Sequence, residues 1–172
     1  PATDEPRPDR PAMTDHGNVL DILIYVFDRY MLVDDPEVPE REELAEDLQK
    51  AGFEGETVER ALDWLADLAC ERHRPELAPA GSRAMRVFTQ EELQHLPVDC
   101  RGYLLALERS GILSPQQREI VIERLLALDS AGLDVYQLKW VALIVLSSQP
   151  GEELACERME DIVFDLPYAR PH

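Results

Sequence analysis

Trp140-Val141-Ala142-Leu143-Ile144-Val145-Leu146 is the stretch on which the fold turns. An unbroken apolar run leaves a helix no polar face to turn toward water. Such a helix must be covered on nearly every side, which places it at the centre of a bundle. The run is too short to cross a bilayer, which needs about 20 apolar residues. Asp134 opens this helix and Pro150-Gly151 ends it. After it, Leu154, Met159, Ile162, Val163 and Phe164 mark a last helix over about 152–164. Before it, Ser114-Pro115-Gln116-Gln117 is a helix start, with Ser as N-cap, Pro in the first position and Gln three on. That helix carries Ile120, Val121, Leu125, Leu126 and Leu128, and Gly132 closes it.

Moving further toward the N-terminus, Pro97 leads a helix over about 97–110, ended by Gly111. Thr89 with Glu92 makes a capping box for a short helix reaching about His95. Ala84-Met85-Arg86-Val87-Phe88 alternates and predicts a strand. Residues 72–83, with Pro75, Pro79 and Gly81, predict a loop. Val58, Ala61, Leu62, Leu65 and Leu68 give a helix over about 56–71, with Trp64 at its edge. Leu44 and Leu48 give one over about 40–51, and Gly52-Phe53 supplies its C-terminal cap and the apolar contact after it. Leu20, Leu23, Ile24, Phe27 and Tyr30/Met31 give one over about 19–32, before Asp34-Asp35-Pro36-Glu37-Val38-Pro39 breaks it. The expected architecture is therefore all-α (mainly helical), with one small β wing. Residues 1–18 are expected to be a flexible extension, 19–88 a winged-helix-like domain, 89–166 a helical bundle and 167–172 a tail.

Charge bears on partners. Among 172 residues, 35 acids stand against 17 bases, a formal charge of −18. Phosphate binding is largely Lys and Arg neutralising backbone charge, so this balance opposes non-specific binding to DNA, RNA or an anionic membrane. The imbalance is steepest where the helix order suggests a DNA reader: residues 18–74 hold 16 acids and 6 bases. The third helix, in the place of a recognition helix, offers Glu54, Glu56, Glu59, Asp63 and Asp67 against Arg60. A groove reader needs Arg, Lys, Asn or Gln there. The DNA-reading role is rejected on charge and the architecture kept.

No catalytic constellation stands out. Cys70-Glu71-Arg72-His73 offers two metal ligands where a structural zinc site needs four. Cys100 and Cys156 lack a local base and orienting group, and a small buried thiol is the simpler role. Three distant cysteines do not make a disulfide scaffold, which points to a reducing cytoplasm. Glu42/Glu43, Glu91/Glu92 and similar acid pairs sit mainly on first helical turns, where the helix dipole favours them. Two basic groups interrupt the acid. Arg72, Arg74, Arg83 and Arg86 flank the predicted loop and strand. Arg101, Arg109, Arg118 and Arg124 lie on the middle helices, with Lys139 nearby. The spacing of Arg118, Glu119, Glu123 and Arg124 suits ion pairs on a helix surface; the alternative for the 72–88 segment is a contact with a partner or nucleic acid. No metal or cofactor is expected.

Several stretches together resemble one family. Leu20-Asp21-Ile22-Leu23-Ile24-Tyr25-Val26-Phe27-Asp28-Arg29-Tyr30 is similar to the opening of the bacterial Smg proteins. Cys100-Arg101-Gly102-Tyr103-Leu104-Leu105 resembles another of their blocks. So do the run from Arg118 through Glu123 and Arg124 to Asp129, Leu138-Lys139-Trp140-Val141, and Pro150-Gly151. The resemblance covers about 19–165, departs around 72–83, and leaves residues 1–19 as extra. It implies a bacterial, cytoplasmic protein with no established reaction. Its genes often neighbour those for a DNA-processing protein of natural transformation, a topoisomerase and translation-initiation enzymes, which suggests nucleic-acid metabolism by association.

Together these observations lead to an expectation of a non-enzymatic adaptor or regulator. An acidic face of Glu42, Glu43, Glu46, Asp47, Glu54, Glu56, Glu59 and Asp63 would meet a basic surface on a nucleic-acid-handling protein, in the sharpest form by nucleic-acid mimicry. One alternative is direct nucleic-acid binding through a basic patch of Arg72, Arg74, Arg83, Arg86 and Arg101; another, which no residue pattern favours, is an enzyme with an unrecognised site.

Overall fold

The computed structural model describes residues 17–31, 37–71 and 86–164. Among them are eight α-helices: α1 (Val19–Val26), α2 (Arg41–Lys50), α3 (Gly55–Glu71), α4 (Gln90–His95), α5 (Val98–Arg109), α6 (Pro115–Leu126), α7 (Val135–Ser147) and α8 (Glu153–Phe164). The proposed extension up to residue 16, the 72–83 loop, the 167–172 tail and the arginines Arg72, Arg74 and Arg83 lie outside the described residues.

The ends of these helices follow from side chains close in sequence. Four capping boxes satisfy N-terminal amide groups: Asn18 with Asp21, Thr89 with Glu92, Ser114 with Gln117, and Asp134 with Gln137. At the end of α2, Gly52 takes φ +101°, a left-handed geometry that a Cβ opposes. The turn lets the Phe53 amide reach the Leu48 carbonyl at 3.2 Å.

The chain divides into two compact units, and the division falls inside α3, between Leu62 and Asp63. The first unit is built on α1, α2 and the start of α3. Its buried side chains include Leu20, Ile22, Leu23, Phe27, Leu44, Leu48, Val58 and Ala61. The helix expected to run to about residue 32 changes character: after Val26, Phe27–Met31 forms a π-helical turn. The second unit has α7 at its centre. Helix α7 packs against α5, α6 and α8, and Leu138 and every residue from Trp140 to Leu146 are buried. The apolar run thus takes the central place that its lack of a polar face demanded.

The β wing is absent: the described residues contain no strand, so the fold is all-helical and the winged-helix expectation is overturned. Ala84 and Met85 fall outside the described residues, and Arg86, Val87 and Phe88 belong to neither helix nor strand. Their alternation has another cause. The Arg86 side chain is drawn in to 11% exposure while Val87 remains 82% exposed. One-sided contact with a protein surface produces the same period of two as a half-buried strand, and backbone pairing is what separates the two cases.

Candidate interaction surfaces

The acids expected to form a docking face are displayed on α2 and α3. Glu42, Glu43 and Glu46 are exposed on α2, and Glu54, Glu56, Glu59 and Asp63 are exposed at the start of α3 and along it. Glu59 accepts a 2.8 Å hydrogen bond from Arg41, and the Lys50 ammonium lies 3.9 Å from Glu46. Both pairs face solvent, so each contributes at most about 1 kcal/mol. Asp47 differs. It is half-buried and accepts from the Tyr30 hydroxyl at 3.0 Å, which ties α2 to the π turn. Sequence reasoning missed that turn. Bonding from i to i+5 brings residues five apart onto one face, and the Arg29 guanidinium lies 5.9 Å from the Tyr25 centroid and 5.8 Å from that of Tyr30. No residue preference announces a π turn, so only the hydrophobic continuity through Phe27 was readable.

Of the arginines expected to form a basic patch, Arg86 and Arg101 fall within the described residues, and they differ in their partners. Arg86 uses all five N–H donors. Nε and Nη2 donate to the two Glu119 oxygens at 2.9 and 2.8 Å. Nη1 and Nη2 donate to the two Glu92 oxygens at 2.7 Å each, and Nη1 also reaches the Val87 carbonyl at 3.1 Å. Glu119 in turn accepts from Arg118 Nε at 2.9 Å, and Arg118 Nη1 donates to Glu108. The result is an alternating chain, Glu92–Arg86–Glu119–Arg118–Glu108, of three acids and two bases. Hydrogen bonds from Arg86 hold the Glu92 carboxyl down to about 2 against the opposing effect of burial. The same guanidinium lowers Glu119, with burial opposing and Arg118 assisting. Arg118 thus draws one partner from α5, and Arg124 lies 3.6 Å from Asp67 of α3. Those two pairings span separate helices, which one-helix spacing does not encode.

The other residues singled out by the sequence divide between buried and exposed positions. Cys100 is buried, and its thiol is pushed up by burial, then by Asp134 and Asp99. Burial and neighbouring acids push Cys156 up to about 11. Both shifts disfavour the thiolate that a nucleophile needs. Trp64, expected at a helix edge, is buried at 3% exposure; its indole N–H donates to the Arg124 carbonyl at 2.9 Å, and the Arg124 guanidinium lies 5.6 Å from its ring. Lys139 sits 5.1 Å from the Tyr103 centroid, and Trp140 meets Phe164 edge-on at 5.8 Å. Asp129, just after α6, has φ +49°. Glu123 is exposed, as is Gly102, where an added Cβ would meet nothing within 4 Å. Arg101 differs from Arg86 and Arg124, which each have both a ring and an acid beside them: its guanidinium is 5.9 Å from the Phe88 centroid, and no described carboxylate joins it.

Known proteins are similar to the chain over most of its length. The family described as protein of unknown function (DUF494) matches residues 19–172. A Smg homologue of Methylococcus capsulatus is 43% identical over 148 residues, covering 86% of this chain and 94% of the relative. One from Alkalilimnicola ehrlichii is 42% identical over 155 residues, covering 90% and 98%. The chain belongs to the Smg family. No solved structure matches it. The family is one of unknown function. Among the described residues of this Smg member, no helix is long and apolar enough to cross a membrane.

Proposed function

We propose that this Smg protein is a non-enzymatic, cytoplasmic adaptor or regulator that docks a basic surface of a nucleic-acid-handling protein on the acids of α2 and α3. The observation that carries this is the contrast between the two charge types. Arg86, a member of the basic patch that would meet phosphate in a direct nucleic-acid binder, is engaged by Glu92 and Glu119. Glu42, Glu43 and Glu56 stand exposed. A net charge of −18 speeds encounter with a cationic protein and slows encounter with a polyphosphate. Nucleic-acid mimicry is the sharper form of the same proposal, with the carboxylates taking the places of phosphates in the partner's binding groove.

The test is a pull-down from bacterial lysate with the full chain and with a Glu42→Lys, Glu43→Lys, Glu46→Lys, Glu56→Lys variant. A basic partner retained at low salt, released at high salt and lost with the variant supports docking; recovery that ignores both salt and variant overturns it. Release of the captured partner by duplex DNA distinguishes mimicry from simple docking. A gel shift of bare duplex or transcript by the purified protein at physiological salt would replace the proposal with direct nucleic-acid binding.

A further inference from the structure

Arg86 and Arg101 stand on opposite terms in the same neighbourhood. Both guanidinium groups lie against the Phe88 ring, at 4.6 and 5.9 Å from its centroid. Arg86 has every donor satisfied. Arg101 is half-buried, its Nε is buried without an acceptor, and among the described residues no carboxylate pairs with it. A partly desolvated cation without an anion is costly. Shortage of acid is not the reason, since the chain holds 35 carboxylate side chains and supplies them to Arg86, Arg118 and Arg124.

A second observation falls at the same place. Seven large apolar side chains are exposed among the described residues, and three of them, Val87, Leu93 and Val98, lie within the twelve residues 87–98, which include Phe88 and end three residues before Arg101. Val87 adjoins Phe88 and is 82% exposed; Val98 is 69% exposed and stands three residues before Arg101 on α5, hence on the same helix face. Apolar surface beside a guanidinium that no described carboxylate pairs is the make-up of an interface anchor, where Arg recurs with a desolvating apolar surround.

We propose that Phe88, Arg101, Val87 and Val98 form a docking point for a protein segment that presents one glutamate carboxylate flanked by apolar side chains. The guanidinium fork donates two parallel hydrogen bonds to a carboxylate, and the valines cover the flanking residues. The charge nearby selects against nucleic acid. Glu91 and Asp99 are exposed on α4 and α5 and bring negative charge to the same stretch. A single carboxylate pairs with Arg101 at the cost of little repulsion, whereas a polyphosphate carries a charge at every step. This docking point uses none of the acidic residues proposed above on α2 and α3 and does not rest on their proposed role.

The probe is an acetylated, amidated Leu-Glu-Leu peptide, titrated into isotope-labelled full-length protein and followed by NMR. The expected result is a saturable shift of the Arg101 Nε–H together with the Val87 and Val98 methyl groups. Arg101→Gln is expected to weaken binding about tenfold or more, as loss of a charge-assisted bond does. Val98→Ser alters an exposed side chain and keeps the fold, so it tests the apolar part alone, with an expected loss of about threefold. Absence of these shifts at millimolar peptide overturns the proposal. So does an equal response to Leu-Gln-Leu, or a stronger response of the Arg101 Nε–H to inorganic phosphate or a single-stranded oligonucleotide.

Discussion

Arg86 and Glu119, 33 residues apart in sequence, are joined by two parallel hydrogen bonds of 2.9 and 2.8 Å. The pair makes the segment around Arg86, expected to be part of a basic wing, into a tether on α6. Arg86 also grips Glu92, the residue that closes the capping box of α4. One guanidinium therefore anchors the segment, the start of a short helix and a turn of α6 together. A six-residue helix is far below the length that is stable alone, so α4 depends on such contacts.

Arg86→Gln is expected to destabilise the protein by about 2 kcal/mol, because it strands the mostly buried Glu92 carboxylate. The figure lies below that for a fully buried pair because the Glu119 side chain is 44% exposed. Urea unfolding checks it: the midpoint falls while the slope is unchanged. Arg86→Lys recovers only part of the loss, since an ammonium cannot grip two carboxylates bidentately.

Acid stability carries the same signature. Glu92 titrates near 2 in the folded protein, below its ordinary value of 4.5. Its contribution is therefore fully present above about 4.5 and is lost as pH falls through about 2. Glu119 is shifted in the same direction. Wild type is expected to lose more stability than Arg86→Gln between about pH 5 and about pH 2.5. Equal losses in the two proteins would show that the ion chain does not set the acid response.

Two glycines are expected to respond oppositely to alanine. Gly52 has φ +101° and open space where a methyl group would go, so Gly52→Ala costs about 1 kcal/mol through backbone conformation alone. Gly102 lies inside α5, also with nothing within 4 Å, and Gly102→Ala stabilises by about 0.5–1 kcal/mol. Thermal melts of the two variants decide the matter; a melting temperature that falls in both would assign Gly102 a role beyond helix geometry.

The three thiols are expected to react in a fixed order. Cys70 is exposed, Cys100 is buried, and Cys156 is half-buried with its thiol raised to about 11. Iodoacetamide at about pH 8 should label Cys70 first, because only the thiolate reacts and access is required. Mass spectrometry of peptides after short exposure reads the order directly, and early labelling of Cys100 would contradict its burial in α5.

Much of the fold was legible locally. The capping boxes at Thr89–Glu92 and Ser114–Gln117, the opening of α7 at Asp134 and the Gly52-Phe53 cap all involve residues a few positions apart, and the structure forms each of them. The burial of α7 followed from composition, since no face of it could meet water. The strand at 84–88 and the edge position of Trp64 were misread for a shared reason. Arg86 is drawn in by Glu119 and Trp64 by the Arg124 backbone, 33 and 60 residues away, and nothing in a local pattern marks such partners. The π turn was invisible because it differs from an α-helix by one hydrogen-bond register.

By itself, the amino-acid order determined the α-helices, their capped starts, the central place of α7 and the surplus of negative charge, because each depends on near neighbours or on simple counts. Only the tertiary structure decided which cations remain available. Arg86 and Arg101 look equivalent in sequence, yet folding delivers two carboxylates to one and none of the described carboxylates to the other. Ion pairing acts over a few ångströms through space, and which groups come that close is settled by how the helices pack.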